Sequence, residues 1–350
     1  MALITFYDAN NYEMEKFPLL VNEASWIENR PGRLVFNMPQ GHEAFAYRYL
    51  KWGVKVTAQF DGFRYLWVGF IEPPRKWSQG NIVVNCRSME YIFHYRRQRG
   101  VGTGGVISAP LTLEGTAGSL VLQILQIANS KRSTMVAAGN INMAAPVRQE
   151  TVNDLLDSHI RGICLRTGHI WSVTGNNNAG KLELFLNYYP RREIVVDYLI
   201  EEGVNLETPN VGDILVEDGD VYNDILGTGD SGIQEDVLAY QAQNDNSIAE
   251  YGLRQTIESF PGNVESATIK KNTDEFLAEH REAVRSINPI LPFTDEVASM
   301  IIMNCSMPVK LHSAGFKPDG TIGFDGYAPV RSVTIDEFNK RISLIMGADF

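Results

Sequence analysis

Along the first hundred residues the apolar positions recur every second residue. Val54, Val56, Ala58 and Phe60 alternate with Lys55, Thr57 and Gln59, and after Asp61-Gly62 the period resumes in Phe63, Tyr65 and Trp67. Successive side chains of a strand point to opposite faces, so a period of two predicts half-buried strands. An Asp-Gly pair between two such runs predicts a hairpin with a two-residue loop. Pro31-Gly32 predicts a type II turn, proline presetting φ and glycine supplying the positive φ, and so a second hairpin between Trp26-Ile27 and Leu34-Val35-Phe36. Ile82, Val84 and Cys86 read as another strand, and Ser88 is placed to cap a short helix running through Tyr91 and Phe93 to Arg96. Residues 1–105 are therefore expected to form a small antiparallel β-barrel closed by that helix.

The period changes after the glycine-rich stretch Gly100 to Gly105, a breaker-rich boundary. Leu120, Val121, Ile124, Leu125 and Ala128 predict a helix over 117–130, and Val152, Leu155, Leu156, His159, Ile160 and Ile163 predict another that ends near Gly168. Trp171 and Val173, a turn at Asn176-Asn177-Asn178, and Leu182, Leu184 and Leu186 then give a hairpin. This is a middle α+β domain over 106–190.

Strand character returns in Ile214-Leu215-Val216 and Val221-Tyr222, and again in Val309, Leu311, Val330, Val333, Ile335, Ile342, Leu344 and Met346, with Asp319-Gly320 and Asp325-Gly326 as turns. These pieces are assigned to a second, discontinuous β-barrel over 191–260 and 294–350. Gly227 follows Asp218 much as Gly69 follows Asp61, a faint repeat that two copies of one barrel would explain. Between the pieces, 261–293 carries a helix capped by Asn272, with Phe276, Leu277, His280, Val284 and Ile287 on one stripe and Pro289 and Pro292 forbidding its continuation. It is expected to pack on the middle domain. Upstream, Ser247 and Glu250 have capping-box spacing, and Gly252 can end the short turn they start. The fold class is thus α+β, mainly β: two small barrels in tandem, a middle α+β domain and an inserted helix.

The apolar content is that of a globular protein, and no apolar run approaches the ~20 residues that cross a bilayer. Met1 to Asn10 lacks a basic stretch followed by an apolar core, so no secretory signal is expected. Cys86, Cys164 and Cys305 are far apart, in no ligand spacing, and read as buried free thiols. The formal charge of −11 is concentrated. Glu193 to Leu253 holds fifteen Asp or Glu and no Lys or Arg, which leaves the remainder at −11 − (−15) = +4. Such a surface repels nucleic acid, whose binding depends on cations replacing condensed counterions.

None of the motifs that could carry chemistry has its context. Gly227 to Gly232 and Gly100 to Gly105 both satisfy G-x-G-x-x-G, but a dinucleotide site needs a helix N-terminus after the motif, and Ile233 to Tyr240 reads as strand. A bulge or turn is the better account of the first. Gly229-Asp230-Ser231-Gly232 lacks a histidine with protease-like flanks, and His42-Glu43 lacks the second histidine of a zincin. Asp218, Asp220, Asn223 and Asp224 lack EF-hand spacing. No catalytic, cofactor-binding or metal-ligating residue is therefore named, and the absence favours a structural protein over an enzyme.

The G-x-G run at Gly227 to Gly229, then Asn246-Ser247-Ile248-Ala249-Glu250-Tyr251-Gly252-Leu253-Arg254, then a helix whose exit reads Asn288-Pro289, resembles the tail hub or minor tail proteins of long-tailed bacteriophages. Ala24-Ser25-Trp26, Pro31 to Leu34, Trp67 to Ile71, Tyr91 to Arg97 and Leu199 to Leu206 extend the resemblance over most of the chain. It implies two β-barrels per subunit and a homotrimer whose six barrels form a pseudo-sixfold ring, joining the sixfold tail tube to the threefold tip and closing the DNA channel. It also implies a virion location at the tail tip, after synthesis in the bacterial host cytoplasm. Implied partners are the distal tail protein ring, the tail tube or tape-measure protein, fibre, spike or receptor-binding proteins, and phage DNA in unspecific passage, with no membrane span. Trp26, Gly69, Gly229, Ser247, Glu250 and Gly252 are the structural or interface positions carried over. Ser306-Met307-Pro308 departs from the Gly-Asp that relatives often show before a strand. A tail-associated cell-wall hydrolase, or a carbohydrate-binding module using exposed aromatics such as Trp77 or Tyr188, is the alternative.

Overall fold

In the computed structural model of the chain, the described residues are 1–39, 41–42, 48–51, 53–61, 66–78, 81–96, 111–131, 133–143, 149–152, 155–190, 196–201, 215–217, 221–230, 237–260, 266–281, 284–287, 289–292, 308–312 and 325–348. They divide into two compact units, Met1–Asp213 with Ile287–Met346, and Ile214–Ser286 with Gly347–Phe350.

Six strands open the first unit: β1 (Ala2–Tyr7), β2 (Glu13–Ile27), β3 (Arg33–Pro39), β4 (Lys55–Gln59), β5 (Trp67–Ser78) and β6 (Asn81–Ser88). Each pairs antiparallel with its neighbours in the order β1-β4-β5-β6-β3-β2, and β2 returns to β1, so the sheet closes into a barrel. Ile4, Phe6, Phe36, Val56, Ala58 and Val84 are fully buried, as a period of two requires. The β2–β3 hairpin is present, but its reversal lies at Ile27 to Arg30, where the Arg30 amide donates to the Ile27 carbonyl at 3.3 Å and Asn29 takes φ 54°. Gly32 serves close approach instead: a Cβ there would lie 2.0 Å from the Ser25 carbonyl oxygen. The β4–β5 hairpin is also present, but pairing stops at Ala58 and Trp67, so its connection exceeds the two residues that Asp61-Gly62 suggested. Phe63 and Tyr65 fall outside the described residues.

After the barrel comes a short 3-10 turn at Met89–Ile92, in place of the longer helix expected there. Ser88 leaves its first amides uncapped because its hydroxyl accepts from the Gly32 amide at 2.8 Å. The middle section contains β7 (Leu111–Glu114), α1 (Ala117–Lys131), β8 (Val136–Ile141), β9 (Gln149–Val152), α2 (Leu156–Thr167), β10 (His169–Asn178) and β11 (Lys181–Pro190). Gly168, at φ 64°, ends α2 by donating its amide to the Cys164 carbonyl. The β10–β11 strands run past the three asparagines to a two-residue turn, Ala179-Gly180, with both φ positive, the twist that suits a hairpin. Leu120, Ile124, Ile160, Ile163, Leu184 and Leu186 share one core with Tyr7, Val68, Phe70 and Phe93 of the barrel side. The barrel and the middle section are therefore packed together, and β12 (Val196–Glu201) follows them.

The second unit contains β13 (Leu215–Glu217), β14 (Asp224–Asp230), β15 (Val237–Gln243), α3 (Asp245–Tyr251), β16 (Gln255–Phe260), α4 (Ser266–His280) and β17 (Val284–Ile287), which pairs with β13. Strand β14 is central, antiparallel to β15 and parallel to β16. Two expectations are corrected here. Gly227 to Gly229 is not a turn but the middle of β14, and a Cβ on Gly227 would meet Thr273 Oγ1 of α4 at 1.8 Å, so glycine lets the helix lie on the strand. The helix itself starts six residues before Asn272 and stops at His280, and it packs on β14 and β15. Its buried stripe begins with Ile269 and Thr273, upstream of the residues used to predict it, and Val284 and Ile287 belong to a strand.

The chain then returns to the first unit with β18 (Ile290–Pro292), β19 (Pro308–His312), β20 (Asp325–Asp336) and β21 (Arg341–Ala348). Strand β20 pairs antiparallel with β2, β19 and β21, and β12 runs parallel to β19. Asp325-Gly326 opens β20 and is no turn, while Asp319-Gly320 lies outside the described residues. Among the described residues one barrel closes. The 191–260 segment expected to share a second barrel with 294–350 is split, because β14 to β16 form a sheet of their own beneath α4.

Candidate functional site

The joint between barrel and middle section is the most built region of the first unit. Trp67, almost wholly buried, donates its indole N–H to the Ser25 carbonyl at 3.2 Å, and its ring lies where a Cβ on Gly69 would have to go. Gly69 therefore works by lacking a side chain, with Arg87 O at 2.2 Å and Trp67 Cη2 at 2.3 Å from that absent Cβ. Trp26, half-buried on β2, faces Val333 of β20 in the strand register and meets Phe60 edge-on at 6.3 Å. Across the joint, Asn29 Oδ1 accepts from the Trp171 amide at 2.9 Å and Glu90 Oε1 accepts from the Val173 amide at 2.7 Å.

Glu90 lines a cavity of about 150 Å³ with Ser25, Trp26, Glu28, Trp67 and Trp171. Burial pushes its carboxyl above the usual range, against the hydrogen bonds from Ser88 and Val173, and Oε2 has no partner. A raised carboxylate in a cavity is what a hydrolase would need, and volume decides against it. Sites for small organic ligands occupy roughly 300–1,000 Å³, and the Glu90 oxygen is itself sealed from solvent. Glu28, the other carboxylate on this wall, is held by two 3.0 Å bonds from Arg331 Nη1.

Two of the remaining carried-over positions, Ser247 and Gly252, meet one side chain that the sequence did not single out for this purpose. Asn223, fully buried, donates from Nδ2 to the Gly252 carbonyl at 2.7 Å and to Ser247 Oγ at 3.3 Å, and Oδ1 accepts from the Arg254 amide at 2.7 Å. Ser247 is not the helix cap. Asn244 is, its side chain accepting from the Ser247 amide at 2.9 Å, which leaves the Ser247 hydroxyl free to donate to the Arg281 carbonyl. Glu250 is exposed, and the reciprocal capping box does not form. Gly252 ends α3 at φ 77° and ψ 169°, a conformation essentially reserved for glycine. Gly229 is buried in β14 opposite Leu238 and Phe260. The signal for Asn223 was present, an asparagine just before a strand, but the three anchoring points of its side chain are remote in sequence.

The other candidates resolve into structural roles. Asp224 accepts from Gln241 and Gln255, each at 2.6 Å, and no cluster of three or more His, Cys, Asp or Glu suited to a metal occurs among the described residues. Tyr188 is fully buried and stacked on His169 at 4.7 Å, so it cannot present a ring to a sugar; burial pushes its hydroxyl up to about 12. The Trp77 side chain lies outside the described residues. Among the described residues no helix is long and apolar enough to cross a membrane.

No family model matches the sequence, and no curated protein does. Solved structures do. The 43 kDa tail protein of prophage MuSo2 from Shewanella oneidensis superposes with a TM-score of 0.64 at 11% identity, covering 99% of this chain and 98% of that one. The tail protein from Neisseria meningitidis MC58 gives 0.59 at 11% identity over 99% and 97%, and prophage tail protein gp18 from Listeria monocytogenes EGD-e gives 0.56 at 13% over 100% and 95%. Essentially the whole of each chain is matched while almost all side chains differ, and the fold of this protein is that of phage tail proteins.

Proposed function

We propose that the chain is a structural, non-catalytic hub protein of a phage tail, located at the tail tip of the virion. The observation that carries this reading is the end-to-end likeness to tail proteins of a chain whose barrel, middle section and C-terminal strands are all matched. A homotrimer is the natural assembly: strands β12 and β18 to β21 would supply part of a second barrel-like element, and two such elements in each of three subunits would present six similar faces to a sixfold tube. Closed symmetric rings need no extra contacts at their edges, which is the mechanical reason for the arrangement. The distal tail protein ring and the tail tube or tape-measure protein would lie above, and fibre, spike or receptor-binding proteins below. The acidic stretch from Glu193 to Leu253 would keep the channel from holding DNA that must pass. Mass in solution by light scattering, with class-averaged electron images, tests the proposal. A threefold ring supports it, and a monomer at all concentrations, alone and with tail tubes, refutes it.

A further inference from the structure

A groove of about 620 Å³ runs beside the joint, lined by Arg30, Arg87, Tyr91, His94, Asp157 and Arg161 among others. Its charges do not balance internally. Arg87 is committed to Glu72 at 2.8 Å and lies over the Tyr91 ring, and Asp157 is committed to His94 at 3.0 Å. Arg30 and Arg161 are both exposed, and among the described residues no carboxylate lies within ion-pair distance of either guanidinium. They stand close enough that the charge of Arg30, after burial, helps to pull Arg161 below its usual range, with Asp157 only partly opposing. Two cations facing one groove are a cost to the isolated chain that a bridging carboxylate would remove, since guanidinium forks take planar oxyanions in paired hydrogen bonds.

We propose that this groove receives carboxylates from the acidic stretch Glu193 to Leu253 of a second copy of this chain. The inference rests on the ring reading above and names one of its contacts. Complementarity argues for this occupant: the stretch holds fifteen acidic residues and no cation, so every copy carries both a basic groove and a strongly acidic segment. Nucleic acid would also offer oxyanions to Arg30 and Arg161, but the formal net charge of −11 opposes its approach.

The test uses the full chain and a labelled peptide of residues 201–220, beside a control peptide with its acids replaced by amides and a single-stranded DNA oligonucleotide. The acidic peptide is expected to bind, to weaken with salt as exposed ion pairs do, and to lose at least about tenfold in affinity to Arg30→Glu/Arg161→Glu, a reversal of two charge-assisted contacts. The oligomer of the double variant is expected to dissociate at lower salt than the original. Arg30→Gln and Arg161→Gln, milder changes at exposed positions, give the same readout if the reversal does not fold. An unchanged oligomer and unchanged peptide affinity overturn the inference and leave the ring reading standing. A monomer that still binds the peptide through the arginines sinks the ring reading alone. Equal binding of the control peptide, or stronger binding of DNA, overturns the inference.

Discussion

Replacing Asn223 by alanine should unfasten the second unit from within. Asn223 is fully buried and its amide makes three bonds: to the Gly252 carbonyl and the Arg254 amide, both at 2.7 Å, and to Ser247 Oγ at 3.3 Å. Its main chain adds two more, donating to the Arg254 carbonyl at 3.0 Å and accepting from the Asn244 amide at 2.9 Å. One residue thus ties the start of β14 to both ends of α3 and to the entry of β16. Alanine keeps the main-chain pair but removes the partner of the half-buried Arg254 amide and of the carbonyl of exposed Gly252, where water replaces part of what is lost, so each bond costs about 0.5–1.5 kcal/mol. The long bond to Ser247 adds little, because that hydroxyl retains the Arg281 carbonyl. The expected loss is therefore about 1–3 kcal/mol, a sizeable share of the total stability of a domain. Urea unfolding followed by hydrogen exchange separates the two units: the Arg254 and Gly252 amides should exchange faster, while those of Val56 and Ile124 in the first unit should not change. Asn223→Asp, which keeps the acceptor and loses the donors, should fall between. A loss below about 1 kcal/mol for alanine, or equal acceleration in both units, would refute the account.

Three other perturbations probe buried contacts of the first unit. Glu337, buried in the β20–β21 turn, accepts from the Ala2 and Val21 amides at 3.2 and 3.1 Å and from the Met1 amine at 2.9 Å. Glu337→Ala should cost about 2–4 kcal/mol in chemical unfolding and Glu337→Gln visibly less, and equal costs would show that charge rather than the acceptors matters. Gly69→Ala would put its Cβ within 2.2 Å of main-chain oxygen and 2.3 Å of a buried indole, so a loss of at least about 1–3 kcal/mol is expected, with a shift in Trp67 fluorescence. The raised carboxyl of Glu90 has a definite sign: folding is favoured while the group is protonated in both states, below the ordinary carboxylate range, and this contribution is lost as pH rises through the folded value. Glu90→Gln should flatten stability above the ordinary carboxylate range and gain on the original as pH rises. An unaltered pH profile would mean that Glu90 ionises freely.

Much of the architecture could be read from periodicity. Alternation marked β4 and β6, the 3.6-residue spacing marked α1 over nearly its full length, and Gly168 ended α2 where a positive φ was needed. These elements bury one face against a neighbour, so the burial pattern is written locally. The devices that depend on remote partners were not legible. Ser88 and Ser247 look like caps, yet each hydroxyl is taken by a residue far along the chain, Gly32 and Arg281. Gly227 looks like a turn glycine, and only the approach of Thr273 makes it the place where a helix rests on a strand.

The chain by itself determined a β-rich α+β protein, an acidic stretch, and the absence of any compact catalytic motif, because composition and short-range period carry that information. Tertiary structure alone decided that β20 returns to β2, that α4 lies on β14 and β15, that Asn223 gathers the ends of α3, and that Arg30 and Arg161 meet in one groove. Each of these is a contact between segments tens to hundreds of residues apart. Its energy comes from burying and pairing groups that have no local reason to meet.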